Sequence, residues 1–358
     1  MIPPQQLEQL GFSPWFQERV DEHEAAAHEI ARVISVQKGF YFLTQGEGSI
    51  LAETTGALEY GAETPLELPT TGDWVYVDLF DDDTPAIIHA VLPRKTELKR
   101  KSAGRAVDYQ LIAANIDVAF VMQSVDANLN LRRLERYLVM VNEAGITPEI
   151  LLSKCDLISD EQVSKIKEQV LEIAPRTTIT TFSNLAEADV VEIANTLTPG
   201  KTYCLMGSSG VGKTTLLNGL LGREEFETQE LSEKIGKGQH TTTSRELIQL
   251  DNGALLIDTP GMREIGSMAG SAGLEGTFPD ILELAQQCNF NNCAHVSEKD
   301  CAVRAAIESG ELTEKRFKSY LKLKKEAAFH DLSYTGKRRK DKTLAKQYRS
   351  AMKKKGRR

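Results

Sequence analysis

The chain has 358 residues, with 51 acidic and 43 basic side chains and a formal net charge of −8 at pH 7. This length exceeds one typical hydrophobic core, so we expect two or three domains. No apolar run approaches the length of a membrane span, and residues 1–5 lack the charged and apolar regions of a signal peptide. We therefore expect a cytoplasmic protein without membrane contact, whose five cysteines do not form disulfides.

The charge is unevenly distributed along the chain. Residues 337–358 hold twelve Lys or Arg and one acid, Asp341, so this segment carries +11 and the remainder −19. Such asymmetry indicates an acidic body and an end that binds polyanions. We predict that residues 333–358 form a disordered basic tail, for which RNA contact is favoured over simple solvation.

Residues 1–29 are predicted to be a helical extension that precedes a small barrel at residues 30–92. Glycines and acidic turns separate short alternating runs in this second segment, as at 30–36, 40–43, 74–79 and 86–92. About five short strands in some sixty residues are typical of an OB-fold β-barrel.

The barrel is also rich in aromatic side chains. The aromatic set consists of Phe40, Tyr41, Phe42 and Trp74. Alternation predicts that about half of these side chains fill the core of the barrel and that the others could contact nucleic acid. Residues 93–110 follow as a predicted basic linker that could track a phosphate backbone.

Strand-like apolar runs alternate with helical patterns over residues 111–272. Strands are predicted at 116–122, 149–152, 177–182 and 202–206, and helices at 131–141, 163–173 and 186–197. This alternation predicts an α/β domain with a parallel sheet covered by helices on both faces. Ligands of such sheets bind at the carboxyl ends of the strands.

One of these strand ends carries a phosphate-binding loop. Residues 207–214 have the GxxxxGK[ST] pattern, between the apolar run 203–206 and the helical run 216–221. Inward-facing amides would surround phosphates, Lys213 would reach the β and γ oxygens, and Thr214 would bind Mg²⁺. The alternative is a chance glycine-rich turn, which the flanking runs disfavour. The predicted GTP-binding residues here are Gly207, Ser208, Ser209, Gly210, Val211, Gly212, Lys213, Thr214 and Thr215.

A second phosphate-side motif, DTPG, follows the apolar run 254–257. Its carboxylate, Asp258, is predicted to hold Mg²⁺, and the amide of Gly261 to meet the γ-phosphate.

The base-reading motif precedes the phosphate loop instead of following it. Ser153, Lys154 and Asp156 form an SKCD stretch at the end of the strand predicted at 149–152, and Ser183 closes the strand at 177–182. A carboxylate at Asp156 accepts both N1–H and the N2 amine of guanine, a pairing that adenine does not offer. Ser153 stands where Asn is usual. Taken alone, the SKCD stretch could therefore also be a chance match. The order of motifs is that of a circular permutation.

A cysteine-rich segment follows, with four metal-binding side chains within fourteen positions. They are Cys288, Cys293, His295 and Cys301. This set matches a closed, structural Cys₃His zinc site. The alternative is three buried thiols beside a surface histidine. A helix predicted at 313–328 would pack on this module.

Taken together, these motifs resemble the RsgA (YjeQ) family of circularly permuted GTPases, which act in late maturation of the small ribosomal subunit. The resemblance rests on the permuted order, on the GxGxHTTT-like stretch 236–243, on DTPG and on the C-x4-C-x-H-x5-C spacing. It implies an OB-fold, a permuted GTPase domain at 111–272 and a helical zinc domain at 273–332. It also implies one structural Zn²⁺ per chain, Mg²⁺ with GTP, and binding to the small (30S) subunit and its rRNA. We expect the protein to be a monomer.

The expected activity is GTP hydrolysis that the subunit stimulates and that releases the protein. Met262 stands where a glutamine would orient the attacking water, so His240 is the candidate catalytic residue and Thr242 a further Mg²⁺ ligand. For His240 the alternative is a general switch-loop contact. Two other functions stay open: an RNA-binding module with structural GTP, and a permuted P-loop enzyme for another nucleotide.

Overall fold

The computed structural model describes residues 4–37, 39–80, 84–101, 109–223, 245–258, 271–290, 292–296 and 298–330. The segment predicted as a basic tail, 333–358, lies outside these ranges. The helices are α1 (Pro4–Gln9), α2 (Pro14–Gln17), α3 (Glu22–Ala27), α4 (Gly56–Gly61), α5 (Leu131–Glu143), α6 (Asp160–Ile173), α7 (Glu187–Thr196), α8 (Lys213–Leu221), α9 (Ser271–Thr277), α10 (Pro279–Ala285), α11 (Ala302–Ser309) and α12 (Glu314–His330).

The strands form a barrel, a large sheet and a hairpin. They are β1 (Glu29–Gln37), β2 (Phe40–Thr44), β3 (Ile50–Thr54), β4 (Trp74–Asp78), β5 (Ala86–Val91), β6 (Glu97–Lys101), β7 (Tyr109–Ala114), β8 (Val118–Ser124), β9 (Thr147–Ser153), β10 (Thr178–Thr181), β11 (Thr202–Gly207), β12 (Leu247–Gln249) and β13 (Leu255–Asp258). None of the helices in the described ranges combines the length and apolar character needed to cross a bilayer.

Strands β1 to β5 close into a barrel in the order β1-β2-β3-β5-β4, which confirms the predicted barrel. The alternation of side chains also behaves as predicted. Tyr41 is buried in the barrel interior and Phe40 is 43% exposed, whereas Trp74 is buried on the outside of the barrel, against Phe12 and Phe16. The barrel therefore presents only part of its aromatic set to a partner.

The large sheet has the order β10-β9-β8-β11-β13-β12. Its first five strands run parallel, and β12 pairs antiparallel with β13. All residues of the central strand β8 are buried, as its apolar sequence predicts. Side chains of α5 and α6 pack on one face and those of α7 and α8 on the other, which confirms the predicted α/β layers.

Residues 97–101, within the segment predicted as a basic linker, form strand β6, which pairs with β7. Arg94 turns inward from this segment, because its guanidinium makes an ion pair with Asp73 at 2.7 Å. It also donates to the carbonyl of Leu68 at 2.8 Å. Arg94 therefore holds the barrel together rather than facing a phosphate backbone.

The domain boundaries given in the sequence analysis stay predictions.

A buried arginine, Arg32 on β1, joins the barrel to the large sheet. Its guanidinium lies 5.3 Å from the Trp74 ring and donates to Thr202 Oγ1, at the start of β11, at 2.8 Å. Its other acceptors are backbone carbonyls, those of Leu10, Gly72 and Asn115. Burial lowers the pKa of Arg32 to about 10, so the group stays charged at neutral pH.

The C-terminal helices pack on α5 and α6, and a second buried arginine, Arg316, contacts both, through Glu135 of α5 and Ile173 of α6. It makes an ion pair with Asp280 at 2.6 Å and donates to the carbonyl of Ile173 at 3.0 Å. Ser319, also on α12, donates to the carboxylate of Glu135 on α5. Desolvation raises the pKa of Glu135 despite these partners, which shows that the carboxylate is shielded from water at this contact.

Candidate nucleotide site and metal cluster

The predicted site residues lie together at the carboxyl edge of the large sheet. Strand pairing places Ser153 opposite Ser124 in β8, and it places Met122 opposite Gly207. Asp258 ends β13 beside Leu205 of β11. The base-reading loop, the phosphate loop and the DTPG carboxylate therefore meet at adjacent strand ends, although their order in the chain is permuted.

The phosphate loop connects β11 to α8. A Cβ at Gly207 would lie 2.7 Å from the carbonyl oxygen of Met122, so the loop needs glycine there. Gly212 has φ 95°, a left-handed conformation that glycine adopts without strain, and it caps α8. Lys213 Nζ donates to the carbonyls of Gly207 and Ser208 at 2.9 and 2.8 Å. The lysine thus lies over the loop where it would meet phosphate oxygens.

The two predicted base loops contact each other directly. Ser183 Oγ donates to Asp156 Oδ1 at 2.5 Å, and the amide of Cys155 donates to the carbonyl of Phe182. The amide of Ser183 is in turn held by Asp189 Oδ2 at 2.7 Å. Ser183 therefore orients the carboxylate of Asp156. Because Asp156 is also exposed, a ligand can reach this carboxylate.

Ser153 is placed differently from the other residues of its motif. Its side chain is completely buried, and its hydroxyl donates to the carbonyl of Val211 at 2.6 Å. It therefore fastens the base loop to the phosphate loop. Lys154, the next residue, has φ 62°, which turns the chain out of β9 into the exposed loop.

Thr214 and Thr215 lie in the first turn of α8, directly after Lys213. Four further predicted residues lie outside the described residues: Thr242, His240, Gly261 and Met262.

The sequence did not indicate the turn that follows β8. Asp126 Oδ2 lies 2.9 Å from Lys154 Nζ, and Asn128 Nδ2 donates to Ser208 Oγ at 3.2 Å and to the carbonyl of Ser209 at 3.1 Å. The available signal was a polar D-x-N turn at the carboxyl end of a buried strand, next to the phosphate-loop strand.

The cysteine-rich segment forms a compact cluster between α10 and α11. The four ligand atoms of Cys288, Cys293, His295 and Cys301 all lie within 4.8 Å of one another. Cys288 Sγ is 3.8 Å from Cys301 Sγ and 3.6 Å from His295 Nδ1. Two thiolates on one tetrahedral Zn²⁺ would be about 3.8 Å apart, so the donor set and its spacing fit a metal ion.

The electrostatics of the cluster are uneven. Desolvation raises the pKa of Cys288, but amides at the start of α11 outweigh it, so the pKa is lowered overall. Desolvation also lowers the pKa of His295, which favours the neutral ligand form. By contrast, desolvation raises the pKa of Cys293 to about 11. This thiol needs a bound cation to ionise at neutral pH.

The sheet order, the phosphate loop and the base loop placed before it define a circularly permuted P-loop GTPase with an N-terminal barrel and a helical C-terminal domain. The sequence profile described as RsgA GTPase matches residues 91–268. A relative from Vibrio parahaemolyticus, Small ribosomal subunit biogenesis GTPase RsgA 2, is 39% identical over 346 residues, covering 97% of this chain and 92% of its own. The RsgA protein of Syntrophotalea carbinolica is 39% identical over 354 residues, covering 95% of this chain and 96% of its own.

Two solved structures share the fold. YjeQ from Thermotoga maritima has a TM-score of 0.62 at 24% identity, covering 84% of this chain and 99% of its own. YloQ, described as a circularly permuted GTPase, has a TM-score of 0.61 at 25% identity, covering 87% and 99%. The chain belongs to the RsgA family of GTP hydrolases, which confirms the resemblance drawn from its motifs.

Proposed function

We propose that this protein hydrolyses GTP as an assembly factor in late maturation of the small (30S) ribosomal subunit, with the subunit stimulating hydrolysis and hydrolysis driving release. The observation that carries the proposal is that a guanine-type base loop and a phosphate loop meet at neighbouring strand ends. The relatives of this chain are named small ribosomal subunit biogenesis GTPases. We further propose that the protein is a cytoplasmic monomer that contacts GTP, GDP and rRNA.

In this proposal the nucleotide lies across the carboxyl edge of the sheet. Asp156 accepts from the guanine edge, and Ser183 keeps its carboxylate oriented. Ser153 and Lys154 complete the base loop, with Ser153 acting through the phosphate loop rather than on the base. The phosphates are held by the amides and side chains of residues 207–215, above all by Lys213.

The Mg²⁺ that accompanies GTP would be held by Thr214 at the start of α8 and by Asp258, with Thr242 as the predicted third residue. A hydroxyl and a carboxylate are oxygen donors of the kind that this ion prefers. The ion would neutralise charge on the β and γ oxygens. Gly261 would supply an amide to the γ-phosphate.

The cysteine cluster is proposed to hold one structural Zn²⁺ through Cys288, Cys293, His295 and Cys301. All four residues are ligands, which is typical of a structural rather than a catalytic site. Bound zinc would fix the segment between α10 and α11 and so present the C-terminal helices to the subunit.

Stimulated hydrolysis gives the test that separates turnover from structural GTP binding. Purified protein should hydrolyse GTP slowly alone and at least tenfold faster with small subunits, and large subunits serve as the control. A rate that small subunits leave unchanged would instead favour an RNA-binding module in which GTP is structural.

His240 is proposed to orient the attacking water, because Met262 offers no hydrogen bond to it. His240→Ala should keep GTP affinity and lose most of the stimulated rate, whereas Gln239→Ala, its neighbour, should keep both. An unchanged stimulated rate in His240→Ala would transfer this role to a group of the ribosome.

A further inference from the structure

The turn after β8 is fixed by a network of polar contacts. Asp126 Oδ1 accepts from Ser124 Oγ at 2.7 Å and from the amide of Asn128 at 2.9 Å. Asp126 Oδ2 accepts from Lys154 Nζ at 2.9 Å. Burial raises the pKa of Asp126, but these donors outweigh it and hold the pKa below its usual value. The carboxylate is therefore ionised and uses both oxygens.

The orientation of the Asn128 carboxamide is also determined. Arg133, on α5, donates to Asn128 Oδ1 at 2.9 Å and to its backbone carbonyl. A guanidinium only donates, so the amide oxygen must face Arg133 and the NH₂ group must face the opposite side. There it meets Ser208 Oγ and the carbonyl of Ser209, at 3.2 and 3.1 Å.

The sheet order gives this turn its significance. Strand β8 lies between β9, which carries the base loop, and β11, which carries the phosphate loop. The contacts run without interruption from Lys154 through Asp126 and Asn128 to Ser208 and Ser209. The turn therefore spans the two halves of the nucleotide site.

We propose that Asn128 is a positioning residue for guanine nucleotides, which holds the first half of the phosphate loop and couples it, through Asp126, to the base loop. This inference rests on the proposed function, because it concerns the same nucleotide site. A phosphate loop binds through backbone amides whose directions must be set in advance. Asn128 sets them at Ser208 and Ser209, and Lys154 transmits the state of the base loop to it.

The test is a double-mutant cycle on GDP affinity, measured by calorimetry on the full chain. Asn128→Ala removes two hydrogen bonds to the phosphate loop and should weaken GDP binding about tenfold. Lys154→Ala should weaken it by a similar factor. Because both act through one network, the double variant should fall short of the product of the two losses by about fivefold or more.

Asn130 provides the matched control. It lies two residues further on, where its side chain accepts from the amide of Arg133 at 3.0 Å as the N-cap of α5. Asn130→Ala should lower the unfolding temperature at least as much as Asn128→Ala, yet leave GDP affinity within twofold. In the double variant Asn130→Ala/Lys154→Ala, GDP affinity should fall by the product of the two separate factors.

Two results would overturn the inference: GDP affinity unchanged in Asn128→Ala, or losses that multiply fully in the double variant. Neither would affect the proposed function, which is tested separately by the preference of the wild-type protein for GDP over ADP. Equal binding of ADP and GDP by the wild type would refute the guanine site, whatever the variants do.

Discussion

The nucleotide site and the cysteine cluster are stabilised in different ways. The first lies at the edge of a six-stranded sheet, where Ser153 and Ser183 already fasten its loops to one another. The second lies in the irregular segment between α10 and α11, where both His295 and Asp300 have left-handed backbone conformations. A site supported by a sheet keeps its shape without ligand, whereas one formed by a short loop depends on the ion that joins its side chains.

Removing one cysteine should therefore produce the largest effect. Cys293→Ala should lose the zinc, about one ion per chain in the wild type, and cost several kcal/mol in the stability of the C-terminal helices. GDP affinity should stay nearly unchanged, since the nucleotide site lies on the sheet. Metal analysis, limited proteolysis and calorimetry measure the three quantities. Cys155→Ser is the control that should keep the zinc. A metal-free protein with protease-resistant C-terminal helices would contradict the comparison.

The next largest effect should come from the base-reading carboxylate. Asp156→Asn exchanges an oxygen acceptor for a donor and should weaken GTP and GDP binding by roughly 2–4 kcal/mol. The fold should be unaffected, because Asp156 is exposed. Asp160→Asn, four residues on and also exposed, should bind GDP normally. Fluorescent-nucleotide titration measures both variants, and tight ATP binding by the wild type would refute the guanine assignment.

A smaller effect is expected where a loop is fastened by one hydroxyl. Ser153→Ala removes the donor to the Val211 carbonyl and should lower the free energy of unfolding by about 1 kcal/mol. GDP affinity should fall only a few-fold, because the other contacts between the loops remain. Chemical denaturation gives the stability, with Ser164→Ala, exposed on α6, as the control. A loss of binding as large as that of Asp156→Asn would mean that Ser153 contacts the base.

The smallest effect concerns the barrel, which has a polar cluster of its own. Asp78 lies 2.6 Å from His28 Nδ1 and 2.8 Å from His89 Nε2. The hydrogen bond from His28 lowers the pKa of Asp78, so the folded protein binds a proton here less readily than the unfolded chain. Its contribution to stability is thus complete above pH ~4 and is lost as the pH falls further.

Asp78→Asn should accordingly lower the unfolding temperature by a few degrees at pH 7 and by less at pH 3. Thermal scans at both values check this, with Asp251→Asn in the exposed turn after β12 as the control. An equal loss at both pH values would show that the contact does not depend on the ionised carboxylate.

Much of the fold followed from local pattern. Buried parallel strands such as β8 are continuous apolar runs, and the barrel strands alternate, so both were predictable. Strand β6 was not, because its sequence, ELKRK, is charged and pairs through backbone groups. The motif residues were predicted because phosphate and guanine binding require particular side chains at particular spacings.

The contacts that join distant segments could not be predicted in the same way. Arg32 meets Thr202 across 170 positions, and Asn128 meets Ser208 across 80. No local periodicity records such pairs, since their geometry is set only when the sheet assembles. The role of Ser153 was missed for this reason, because its partner is a carbonyl that belongs to another loop.

The acceptors around Arg32 also bear on how this protein can diverge in sequence. Three of them are main-chain carbonyls, which every amino acid supplies. The hydrogen bonds to Arg32 therefore do not themselves require particular side chains at Leu10, Gly72 or Asn115, although Asn115 is held by its own side-chain hydrogen bond to the Gly72 carbonyl. No other residue offers five donors in one planar group, so the donor position tolerates no such exchange. The requirement is therefore unequal: the donor must be this arginine, whereas three of its four acceptors are supplied by the main chain and one by the hydroxyl of Thr202.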